Sequence, residues 1–91
     1  MKRGQLIADK LAALIVEKME KRAHHGAWEK SHPLELYNLM RGEIAELSLE
    51  MTDYEYAHES KRTKDMISNV IGELVDVAAY CAIIIDVLEK G

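Results

Sequence analysis

One stretch constrains this chain more than any other: residues 71–80, IGELVDVAAY, an apolar run with Glu73 and Asp76 set inside it. On a helix numbered from Met66 at about 100° per residue, Glu73 falls at about 340° and Asp76 at about 280°. Met66, Val77 and Ile84 lie to one side of them and Ile83 and Val87 to the other, so both carboxylates share a face with apolar residues. An unpaired buried carboxylate costs several kcal/mol, so that face needs a counter-charge, either a basic side chain or a bound cation. No Lys or Arg occurs between Lys64 and Lys90. A second acid pair, Glu43-Ile44-Ala45-Glu46, lies upstream in another apolar-periodic stretch, and the two pairs are expected to meet around metal.

Three helices account for the pattern. From Gln5 to about Arg22, the residues Ile7, Leu11, Leu14, Ile15 and Met19 recur at helical spacing, with Lys10, Glu17, Lys18, Glu20 and Lys21 mostly on the other, solvated side. Residues 23–32, AHHGAWEKSH, break this periodicity at Gly26. Ser31 followed by Pro33 signals a new helix start, because proline tolerates the first turn. The second helix carries Leu36, Leu39, Met40, Ile44, Leu47 and Met51, with Glu43, Glu46 and Glu50 within or beside the same arc. Residues 52–63, TDYEYAHESKRT, lose the pattern and are expected to form a connector, or a connector that begins as a frayed helical end. Thr63 is the expected N-cap of a third helix running to about Glu89, with Asp65 favourable in its first turn.

Acids at i and i+3 on a helix lie on adjacent turns of one face and can reach a single ion. Two such pairs on antiparallel helices would surround one or two hard divalent cations with oxygen ligands. The set holds neither sulfur nor histidine, so magnesium, or manganese in its place, fits best. The alternative is that these acids are helix-surface charges. Against it stands Coulomb repulsion of roughly 4 kcal/mol between carboxylates about 4 Å apart at an effective dielectric near 20. Lys61, Arg62 and Lys64 form the densest basic cluster, either a solvated loop or a contact for phosphate. Trp28 can stack on a base or anchor its loop to the core. His24, His25 and His32 flank it and are expected at the surface. Glu55-Tyr56-Ala57-His58 matches the Glu-x-x-His of ferritin-like di-iron bundles, but those need two copies and this chain has one.

Glu-x-x-Glu at Glu43 and Glu46, then Glu-x-x-Asp at Glu73 and Asp76 followed by an apolar helix, resembles the MazG-like, all-α nucleoside triphosphate pyrophosphohydrolases. The resemblance runs from about Ala23 to the end, and His25-Gly26-Ala27-Trp28 is similar to short phage and bacterial members. It implies that Glu43, Glu46, Glu73 and Asp76 hold magnesium against a triphosphate, one of the first two also orienting the attacking water. Water then releases a nucleoside monophosphate and pyrophosphate. Several relatives carry Asn three residues after the last motif acid, in contact with the nucleotide; here that residue is Ala79.

The chain has 91 residues, enough for one small domain that buries about 60 to 65% of its unfolded surface. With 48% hydrophobic and 31% charged residues it is too apolar to be disordered. A net charge of −4 argues against a general nucleic-acid binder. The single cysteine, Cys81, excludes an intrachain disulfide and is expected as a small buried hydrophobe. Charges interrupt the N-terminal stretch before a signal core forms, and no run reaches the roughly 20 apolar residues of a membrane span, so a cytosolic protein without a membrane partner is expected. Residues 77–88 are apolar nearly all round apart from Asp86, more than a chain this small can cover. The expected architecture is therefore an all-α small helical bundle completed by oligomerisation, as a homodimer or homotetramer. A rival expectation from another class is a non-catalytic helical oligomer serving as a regulatory or assembly module.

Overall fold

Each periodic stretch becomes one helix: α1 (Arg3–Arg22), α2 (Pro33–Tyr56) and α3 (Lys64–Lys90). The computed structural model describes residues 2–22, 31–57, 61 and 63–90, and among them there is no strand. Pro33 opens α2 at its first position, where its missing N–H is no loss, and His32 is the N-cap without a side-chain hydrogen bond. At α3, the Met66 N–H donates to Thr63 Oγ1 at 3.1 Å, and Asp65 lies in the first turn, where a carboxylate complements the helix dipole.

α2 runs past the expected break at Thr52 and ends at Tyr56. The Thr52 hydroxyl donates to the Ser48 carbonyl at 2.7 Å, which satisfies it within the helix, and no Gly or Pro interrupts residues 52–56. Tyr54 gives this last turn a half-buried side chain. The polar composition there belongs to the exposed side of a helix, not to a connector.

α3 is the central element. α1 packs on it and α2 packs on it, while α1 and α2 make no contact with one another among the described residues. The less exposed positions of α2 recur at 36, 40, 43, 47, 50 and 54, the alternating steps of four and three that form a helix-packing seam. Since α2 touches only α3, this seam faces α3, and it carries Glu43 and Glu50 inward. On α3 the most buried residues are Val75, Ala79 and Ile83, one turn apart, and with Leu36 they form the buried apolar core.

Around this core the molecule is open. Its radius of gyration is 15.1 Å, where a compact chain of this length has about 12 Å. It exposes 7078 Å², against roughly 5,400 Å² expected for a compact monomer of this mass. Leu34, Leu49, Ile85 and Leu88 are all more than half exposed. Cys81 departs from expectation: it is exposed, not buried, and its thiol lies 3.7 Å from the Met40 sulfur on α2. No helix among the described residues is long and apolar enough to cross a membrane.

Candidate metal centre

The α2 seam delivers Glu43 to α3, and the i, i+3 spacing of α3 delivers Glu73 and Asp76 to meet it. One carboxylate oxygen from each of Glu43, Glu73 and Asp76 lies within 4.8 Å of the others, and all three residues are half-buried. Glu46 is exposed and falls outside this group, although its charge still acts on Glu73. The helix spacing explains the difference, since position 46 lies outside the 36, 40, 43, 47, 50, 54 seam.

Glu73 is the most perturbed member. Burial, first, pushes its carboxyl above the ordinary value of 4.5; a hydrogen bond with Glu43 and the negative charges of Glu46, Glu43 and Asp76 push it the same way. Its Oε2 is buried and has no hydrogen-bond partner among the described residues. A buried acceptor without a donor is destabilising unless a cation or water meets it. The donor set is all oxygen and three carboxylates deep, which fits a hard divalent cation.

The counter-charge that the sequence demanded is in part a side chain. Lys18 of α1 places its Nζ 2.7 Å from Asp76 Oδ1, with the lysine side chain 30% and the aspartate 14% exposed. Sequence reasoning placed Lys18 on the solvated side of α1, and the structure corrects this. The half-buried positions of α1 are Leu14, Ile15, Lys18 and Met19. Lys18 follows Leu14 by four and Ile15 by three, and that spacing was the available signal. Lys21 does face solvent, in an exposed pair with Glu17 at 3.4 Å.

Beside Lys18 runs a cleft of about 470 Å³ between α1 and α3, lined among others by Lys18, Lys21, Ser68 and Gly72. A Cβ built on Gly72 would meet nothing within 4 Å, so its lack of a side chain leaves open space.

The other candidate residues are dispersed. Lys61 and Lys64 are exposed, and Lys64 starts α3 about 13 Å along the helix axis from Glu73. Arg62 and Trp28 lie outside the described residues, as do His24, His25 and His58. His32 is exposed. Ala79 is 1% exposed, so this position presents no group to a ligand in the single chain.

No family model, no curated protein and no solved structure matches this chain.

Proposed function

We propose that this chain is a magnesium-dependent pyrophosphohydrolase of ribo- or deoxyribonucleoside triphosphates, MazG-like in its motif pair and working as a homo-oligomer. One observation carries the reading: one carboxylate oxygen from each of Glu43, Glu73 and Asp76 lies within 4.8 Å of the others, and Glu73 also holds a buried oxygen, Oε2, without a hydrogen-bond partner among the described residues. Glu73 and Asp76 share one face of α3, and the packing of α2 on α3 brings half-buried Glu43 to them. Magnesium, or manganese, supplies charge neutralisation for the triphosphate and an activated water when bound. Glu43, Glu73 and Asp76 are the residues that would hold it. Glu46, exposed one turn along α2 and outside the group, would join them or orient the attacking water only by turning toward Glu73, on which its charge already acts. Lys61, Arg62 and Lys64 supply positive charge near the start of α3, and Trp28 a face for the base. Products of attack at the α-phosphate are monophosphate and pyrophosphate.

Exposed surface supports the homo-oligomer. Relative to a compact monomer the chain exposes an excess of roughly 1,700 Å², within the range one partner contributes to an obligate interface. Part of this excess is an apolar groove of about 310 Å³ lined by Met51, Tyr54, Ile67, Val70, Ile71 and Leu74.

A second reading has an observation of its own. The Lys18–Asp76 ion pair supplies one positive charge to the acids without any metal, and Ala79 is buried. Both suit a non-catalytic helical oligomer, a regulatory or assembly module. The deciding experiment is a panel of common nucleoside triphosphates incubated with the protein and magnesium, with products separated. Monophosphate and pyrophosphate in equal amounts, lost in Glu73→Gln, support the enzyme. Folded, magnesium-supplied protein that releases no pyrophosphate from any of them leaves the module.

A further inference from the structure

We infer that Lys18 has two alternative partners: Asp76 in the metal-free protein, and the phosphate chain of the substrate once a divalent cation takes over Asp76. This rests on the metal-site reading above and assigns to that site a phosphate-binding residue from α1.

Three observations carry it. Lys18 forms an ion pair with the acid cluster, its Nζ 2.7 Å from Asp76 Oδ1. Asp76 belongs to the same group of converging oxygens as Glu43 and Glu73, so an ammonium in hydrogen-bonding contact with it and a divalent cation on the same carboxylate compete for one negative charge. Lys18 also lines the α1–α3 cleft. Released from Asp76, its flexible four-carbon stem lets the ammonium turn into this open space without moving the helix. There it joins Lys21, Ser68 and Gly72, with Glu17, the partner of Lys21, also lining the cleft.

Charge balance favours the exchange. Glu43, Glu73 and Asp76 contribute up to three negative charges, with exposed Glu46 acting from outside the group, and a triphosphate adds about four more, while one divalent cation returns only two. Cationic side chains must offset the remainder. Lys64 starts about 13 Å away along α3, whereas Lys18 is already in contact with the site.

The prediction is a change of opposite sign for two ligands. In Lys18→Met the stem and its packing remain and the charge is gone. Manganese titrated alone by calorimetry should then bind roughly three- to tenfold more tightly, because the half-buried Lys18–Asp76 pair no longer has to break. Inorganic tripolyphosphate, titrated into manganese-saturated protein, should bind roughly tenfold more weakly, the usual scale for losing one charge-assisted phosphate contact. Lys18→Arg, which keeps the charge, should retain tripolyphosphate binding within about threefold. Circular dichroism of each variant checks that the helices persist. Affinities for manganese and tripolyphosphate that both stay unchanged, or that both fall together, would overturn the assignment; joint weakening marks a merely structural lysine. If the wild-type protein binds no manganese while folded, the metal-site reading itself fails and this inference falls with it. If it binds manganese but Lys18→Met leaves both affinities unchanged, only the role of Lys18 fails.

Discussion

Replacing Glu73 by Gln should stabilise the metal-free protein, the reverse of what most substitutions at a half-buried site do. Glu73 has carboxylate neighbours on two sides, Glu43 and Asp76, within 4.8 Å. At that separation two unit charges repel by about 3.5 kcal/mol at an effective dielectric of 20, and by about 0.9 kcal/mol in water. All three groups are only half-buried, so water still screens them, and Lys18 already neutralises part of Asp76, so the lower end applies. That gives about 1 to 2 kcal/mol in all, after discounting for solvent screening. Gln adds a donor where the Glu73 Oε2 has none, and its amide can donate to Glu43. For a domain of this size the gain corresponds to a rise in Tm of roughly 5 to 10 °C.

The assay is thermal unfolding by circular dichroism in chelator, at one fixed protein concentration because an oligomer's Tm depends on it. A pH series supplies an internal check. The folded-state pKa of Glu73 is raised above 4.5. Below 4.5 the group is protonated in both states and carries no penalty. Between 4.5 and the raised value the folded protein keeps a proton that the unfolded chain has lost. Stability therefore falls as pH climbs through that window and is flat above it. Glu73→Gln should remove this fall. A Tm that is unchanged or lower near neutral pH, with the wild-type slope intact, would refute the claim that Glu73 sits among uncompensated charges.

Other outcomes follow from the same geometry. Millimolar magnesium should raise the wild-type Tm, since a ligand at 100 times its Kd stabilises by about 2.7 kcal/mol, and Glu73→Gln should lose most of that rise. Turnover of the best substrate should drop on the order of 100-fold or more in the same variant. Neutralising Lys61, Arg62 and Lys64 together should leave Tm nearly unchanged, because Lys61 and Lys64 are exposed and such charges contribute little to stability, yet raise KM; an unchanged KM would return the cluster to a solvated loop. Sedimentation should find at least a dimer at micromolar concentration, and a stable folded monomer there would remove the oligomer. Thr63→Ala should destabilise by about 1 kcal/mol through loss of the Met66 cap, read in a urea melt.

Helix number and placement were legible because apolar spacing is a local signal. Pro33 marks a start through its fixed backbone and Thr63 through its side-chain hydroxyl, both local signals, and the structure agrees with both. The end of α2 was not legible by composition. Residues 52–56 are polar because most of that turn faces solvent, and what keeps them helical is a hydroxyl satisfied within the helix and Tyr54 in the seam. Glu43 and Glu73 could be read as inward-facing. Separating Glu43 from exposed Glu46 required the steps of four and three from Leu36, which angular counting from one residue blurs. Lys18 was missed for a different reason. A lysine on the edge of an amphipathic stripe is ordinarily a solvated stem with its head in water. Only the docking of α1 on α3 shows that this one meets Asp76, and tertiary packing of that kind is absent from any single helix's periodicity. The exposure of Cys81 has the same origin, because a helix apolar all round is buried only where neighbours exist.

The most direct test of the account is electron paramagnetic resonance of manganese titrated into wild-type protein, Glu73→Gln and Asp76→Asn. The free-ion signal should diminish in saturable fashion with the wild type, magnesium should restore it by competition, and both variants should leave most of the signal free at the same concentrations. Folded wild-type protein that leaves the manganese signal undiminished, or variants that quench it as fully as wild type, would contradict the claim that Glu43, Glu73 and Asp76 form a divalent-cation site.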